Sequence, residues 1–198
     1  MTPTPTIVFV HGAFSTPDAF NYFKTQLTDY PQLSFSYDWN NPTSQVGQDL
    51  VEYVVNRTST RQIVLLGHSL GGNVAIHSLP HFSQHDAVTV DHVCTYGSPF
   101  GGSKYASLVG LFSKASVFEH ITPSSTQIRS LKPIVKQHTN ITSFVTTRGP
   151  LSSLNDGVVT VASQTALPGV HYVTVDTNHM EVLLSDHVIA ATRQFIEH

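Results

Sequence analysis

Gly67-His68-Ser69-Leu70-Gly71-Gly72 sets a serine between glycines two residues to either side, directly after the apolar run Gln62 to Leu66 and before a helix-patterned stretch ending near Leu79. A serine at so tight a strand-to-helix turn takes a strained backbone conformation. The flanking glycines leave out Cβ atoms that would collide with the neighbouring strand or helix. The hydroxyl is thereby pushed out of the fold, and the following helix aims its N-terminal N–H groups and positive dipole end at the same spot. This is the chemistry of a nucleophile attacking an acyl carbon, with the oxyanion held at a helix start. Leu70 supplies one oxyanion donor by its position.

Such a serine needs a base, and the base needs an acid to orient it. Twelve histidines compete for the first role, yet His179 is the one that follows the last expected strand and precedes the last expected helix. Asp156 follows the fifth expected strand, and Gly157 beside it allows the tight turn that directs a carboxylate inward. Asp176 is the rival acid, but three residues make a short loop in which to reach back around the His179 imidazole. Ser69, Asp156 and His179 then all lie at the carboxyl edge of a sheet, where ligands bind in open α/β folds.

The elements that must position these groups alternate in type. Short, mostly continuous apolar runs predict strands over Thr6–Val10, Leu33–Tyr37, Gln62–Leu66, His92–Tyr96, Thr142–Thr146 and His171–Val175. Helical spacing predicts Pro17–Asp29, capped by Thr16, then Ser44–Asn56, a helix from just past Ser69, and Ser185–Glu197. The expectation is an α/β chain of about six mainly parallel strands with helices on both faces, in a single domain spanning 1–198. The rhythm breaks between Gly97 and Asn140, which predicts a lid-like insertion around 101–136. Tyr105, Leu108, Val109, Phe112 and Ala115 fall at helical spacing within it, so it is either an apolar flap over the site or the core packing of a long crossover.

Four blocks together resemble the α/β-hydrolase superfamily, in particular its small lipase-like and esterase-like members. They are Phe9-Val10-His11-Gly12-Ala13, Gly67 to Gly72, Asn155-Asp156-Gly157-Val158-Val159 and Asn178-His179-Met180, in the family's order of Ser, Asp, His. Gly97-Ser98-Pro99-Phe100-Gly101-Gly102 and Ile121 to Ser125 look like lesser pieces of the same pattern. The resemblance spans nearly the whole sequence and is to a minimal version, lacking the first two antiparallel strands and a large cap domain. It implies a serine esterase or lipase working without a cofactor, and Ala13 as the second oxyanion donor, with a neighbouring residue as the alternative. His11 is expected to brace its loop and His68 to pack beneath the elbow. Phe14, Phe100, Leu108 and Phe112 are candidate substrate-binding residues, and for Phe14 and Phe100 core packing is an equal alternative.

Composition narrows the rest. Ten Lys and Arg against thirteen Asp and Glu, with no basic run, exclude a large footprint for nucleic acid. The one cysteine, Cys94, makes neither an internal disulfide nor a thiolate metal site. No apolar run reaches the ~20 residues of a spanning helix, and the start of the chain lacks a signal-peptide pattern. The expected location is therefore cytoplasmic, or secreted if a leader has been removed. His77, His81 and His85 have helical spacing, but with Pro80 between the first two and no Cys or carboxylate cluster joining them they read as a solvated helix end rather than a metal site. The expected partner is a small-molecule ester, a lipid among the candidates, with oligomeric state open. Rival uses of the same residues are thioester cleavage, acyl transfer or a lyase reaction, and a non-catalytic binding protein on the same fold.

Overall fold

Side chains alternate across a strand, and here both faces of the strands are apolar. In β1 (Thr6–Val10), Ile7 and Phe9 enter one core cluster while Val8 and Val10 enter the other. The strand β3 (Gln62–His68) repeats the division, with Val64 and Leu66 on the first side and Ile63 and Leu65 on the second. A strand covered on both sides reads as a continuous apolar run, and for that reason these strands were recognisable. The computed structural model describes residues 4–103, 116–149 and 154–197.

With β2 (Gln32–Phe35), β4 (Thr89–Tyr96), β5 (Ile141–Thr146) and β6 (His171–Val175), these strands form one six-stranded sheet in the order β2-β1-β3-β4-β5-β6. Every pairing is parallel. One face carries α2 (Thr43–Val55) and α3 (Leu70–Phe82), whose Val46, Leu50, Val54, Val74 and Leu79 complete its core. On the other face lie a 3-10 turn (Pro17–Phe20), α1 (Asn21–Gln26) and the C-terminal helix (Asp186–Glu197), which bring in Phe20, Phe23, Val188, Ile189 and Ile196.

Two expected helices change shape. The helix expected over Pro17–Asp29 opens as a 3-10 turn and ends at Gln26, a division that lets Phe20 reach Phe9 (5.1 Å) while Phe23 meets Tyr96 (5.2 Å). In α3 the chain continues through Pro80 to Phe82. Leu79 and Phe82 are both 3% exposed, and their burial offsets the backbone hydrogen bond that proline forfeits. His77 is correspondingly buried rather than solvated, with Nε2 2.8 Å from Ser130 Oγ.

The described part of the 101–136 insertion holds a one-turn helix α4 (Val117–His120) and α5 (Thr126–Val135). Ser125 caps α5, its side chain accepting from the Ile128 N–H (3.2 Å) and donating to the His120 carbonyl (2.6 Å). Ile128, Leu131 and Val135 bury in the α2–α3 side of the core, so this portion is a packed crossover. The candidate residues Leu108 and Phe112 lie outside the described residues. No helix among the described residues is long and apolar enough to cross a membrane.

Candidate active site

At the end of β3 the chain reverses into α3 within a single residue. Ser69 sits there with φ 52° and ψ −122°, in the left-handed half of backbone space that a side chain disfavours. Close packing makes the turn. A Cβ on Gly67 would lie 2.6 Å from the Gly71 carbonyl oxygen, and one on Gly71 only 2.1 Å from that of Val10. The Ser69 N–H donates to the Tyr96 carbonyl (2.8 Å), tying the turn to β4. Leu70 is the first residue of α3, so its N–H is among the helix-start donors that have no intrahelical acceptor.

The loop after β1 runs against this turn. A Cβ on Gly12 would stand 2.9 Å from Ser69 Cβ, so the backbone entering Ala13 passes beside the serine. His11 braces the loop from behind. Its ring stacks on Tyr37 at 4.4 Å, its Nδ1 lies 2.8 Å from the Gly12 carbonyl oxygen, and the Tyr37 hydroxyl donates to the His11 carbonyl (2.6 Å). Burial lowers the His11 pKa, against the hydrogen bond to Gly12, favouring the uncharged ring. Phe14 follows with φ 53°, is 65% exposed and lies against Trp39 (4.2 Å). Phe100, in contrast, is 1% exposed within the core on the α2–α3 side, which is the packing alternative rather than a wall of an open cleft.

Asp156 and His179 meet directly: His179 Nδ1 lies 2.7 Å from Asp156 Oδ2, with the carboxylate side chain fully buried. The His179 N–H also donates to the Asp156 carbonyl (3.1 Å). Asp156 Oδ1 accepts from the Val158 (2.9 Å) and Val159 (2.7 Å) N–H groups, the turn that Gly157 completes with φ 97°. Oδ2 accepts from Thr146 Oγ1 (2.5 Å) and from Gln164 Nε2 (3.4 Å). Burial opposes the charged carboxylate, but the bonds and charge from His179, with those from Thr146 and Val159, outweigh it and hold its pKa below the ordinary value. Asp176, the rival, ends exposed beyond β6.

Thr146 and Gln164 escaped the sequence reading. One is the last residue of β5 and the other lies on a one-turn helix α6 (Val161–Gln164), and nothing in their types announces a carboxylate partner. Gln164 bonds both backbone groups of Thr146, its Oε1 accepting from the N–H (2.8 Å) and its Nε2 donating to the carbonyl (2.9 Å). It thereby fixes the end of β5 to the Asp156 loop.

His68, adjacent to Ser69, lies ring against ring with His179 at 4.8 Å. No hydrogen bond among the described residues joins Ser69 Oγ to the imidazole. A gap of this kind is ordinary before a substrate tightens such a site. The arrangement can therefore orient an imidazole by a buried carboxylate beside a half-buried, strained serine and a helix start.

The sequence model of the Alpha/beta hydrolase family matches residues 7–180. The chain belongs to this family. Among solved structures, a mature lipase from Bacillus licheniformis is similar over 99% of this chain and 93% of its own, with a TM-score of 0.77 at 19% identity. A protein from Listeria innocua matches over 98% and 94%, with a TM-score of 0.74 at 17% identity. An extracellular alpha/beta-hydrolase from a Paenibacillus species matches over 96% and 97%, with a TM-score of 0.65 at 15% identity. At these identities the likeness concerns the α/β-hydrolase fold alone. No curated protein matches the sequence.

Proposed function

We propose that this α/β hydrolase is a serine hydrolase of carboxylic esters, with Ser69, His179 and Asp156 as its catalytic triad. The observation that carries the reading is the buried 2.7 Å bond from His179 to Asp156 beside a serine held at φ 52° on a strand-to-helix turn. A strained nucleophile turn has no evident structural use, and a carboxylate kept charged behind an imidazole is what a base of this kind requires.

In the proposed reaction, Ser69 Oγ attacks the ester carbonyl carbon while His179 Nε2 takes the hydroxyl proton. Asp156, its pKa lowered, stays ionised, fixes the Nδ1–H tautomer and stabilises the imidazolium. The N–H groups of Leu70 and Ala13 hold the oxyanion. His179 then gives its proton to the departing alkoxide, leaving an acyl-serine and a free alcohol. Water, deprotonated by the same imidazole, attacks the acyl carbon and releases the acid as the serine hydroxyl is restored. No step calls for a cofactor.

The expected substrate is a small ester with an apolar part. The presence of a lipase among the similar solved structures supports this. The test is covalent labelling with a fluorophosphonate together with hydrolysis of p-nitrophenyl esters of increasing acyl length. Labelling and turnover should both vanish in Ser69→Ala, and full ester cleavage by that variant would refute the assignment.

A further inference from the structure

His68 ends β3 one residue before the nucleophile and is 2% exposed. Its Nε2 lies 2.8 Å from the backbone carbonyl oxygen of His179. A carbonyl only accepts, so Nε2 carries the proton and Nδ1 is bare, a tautomer assigned from this partner. Nδ1 is buried without a partner and faces the loop after β1, where a Cβ on Gly12 would stand 3.4 Å away. The ring is thus wedged between the loop that passes Ser69 and the loop that carries His179.

The titratable groups facing His68 are His179, Asp156 and His11. Burial first, then the like charge available to His179 and His11, push its pKa down to about 3, against the hydrogen bond to His179 and the Asp156 charge. The ring therefore stays uncharged and keeps its bare Nδ1 at any pH at which an imidazole base works. A charged ring at 4.8 Å would oppose the imidazolium that forms during the reaction.

His179 is held on three sides. Its Nδ1 and its N–H engage Asp156, which belongs to the loop after β5. Its carbonyl engages His68, and among the described residues this is the hydrogen bond that ties the His179 backbone to the nucleophile's own strand. We infer that His68 is a positioning residue for the base: its Nε2–H fixes the His179 backbone at the distance from Ser69 that proton transfer requires. The inference rests on the serine-hydrolase reading. It adds that the residue preceding the nucleophile sets the spacing between nucleophile and base, which Asp156 alone does not set.

The experiment compares His68→Gln, whose side-chain amide keeps a donor at similar reach, with His68→Leu and His68→Asn, which do not. The readouts are kcat and KM on a short p-nitrophenyl ester, the melting temperature, and the low-field proton resonance of the His179–Asp156 hydrogen bond. His68→Leu and His68→Asn should lower kcat by roughly 10- to 100-fold with KM little changed, as expected for a displaced base, and should shift or broaden the resonance. His68→Gln should restore both. Wild-type kcat and an unmoved resonance in the folded Leu or Asn variant would overturn the inference, as would a folded Gln variant as impaired as Asn. If the Leu variant fails to fold, the Gln and Asn pair decides. A wild-type protein unreactive to fluorophosphonate would count against the serine-hydrolase reading instead, while the resonance would still report whether His68 holds His179.

Discussion

Ser69 is held in a backbone region that costs a non-glycine residue about 1–3 kcal/mol. Glycine enters that region without a Cβ penalty, although its looser unfolded state offsets part of the gain. Ser69→Gly should therefore be more stable than Ser69→Ala by about 1 kcal/mol, seen in calorimetry as a melting temperature roughly 2–4 °C higher, with both variants inactive. Equal melting temperatures would mean that the turn stores no strain. Asp156→Asn tests the other half of the site. Its side-chain oxygen can still accept from Val158 and Val159, so the fold should persist, but an amide N–H set against His179 Nδ1 disfavours the required tautomer. A fall in kcat of about 10⁴-fold is expected in steady-state assays, with a lower melting temperature, because Thr146 and Gln164 lose their charged acceptor, but a folded protein at assay temperature. As candidates, Ser69 could be read from its elbow pattern, Asp156 from the Gly157 turn in the loop after the fifth strand, and His179 from its place between the last strand and the last helix. Thr146, Gln164 and the His68 bond could not, since each partnership joins side chains across loops whose course no local pattern specifies.

Among the elements, all six strands and the helices α2 and α3 were legible as elements, while their limits were legible only in part. In β1 and β6 the expected and observed limits coincide, whereas β4 begins at Thr89 rather than His92, because its exposed and half-buried first residues break the apolar run. The sequence marks Pro80 as a helix breaker, yet α3 passes through it, since local propensity is weaker than the burial of Leu79 and Phe82. The crossover helix α5 has the opposite weakness: it carries an internal Pro133 and depends on its cap and on three buried side chains. Ser125→Ala removes the acceptor for the Ile128 N–H and the donor to the His120 carbonyl, and should cost about 1–2 kcal/mol. In chemical denaturation the midpoint should fall with an unchanged slope. A loss below ~0.3 kcal/mol would show that tertiary packing alone sets the start of α5.

Across the whole molecule, acid stability should follow from the histidines the fold keeps uncharged. Burial lowers His77 from 6.5 to about 4, His92 to about 4 and His68 to about 3. Each folded value lies below its unfolded one, so as pH falls through 6.5 the unfolded chain takes up protons that the folded chain refuses. Stability then declines with falling pH until the folded values are reached, a window from about 6.5 to about 4 for His77. His77 is the clearest probe, being 4% exposed and, although on the same helix that follows Ser69, outside the candidate triad, with Nε2 against Ser130 of α5. His77→Gln keeps a donor to that hydroxyl and removes the titration. Urea unfolding measured between pH 7 and pH 4 should show the variant losing about 3 kcal/mol less than the wild type over this range, whatever its stability at pH 7. Parallel curves would mean that the folded protein accommodates a charged His77, and the acid sensitivity would then have to come from His68, His92 or the protonation of carboxylates such as Asp156, whose lowered pKa makes it a stabilising group that fails only at more acid pH.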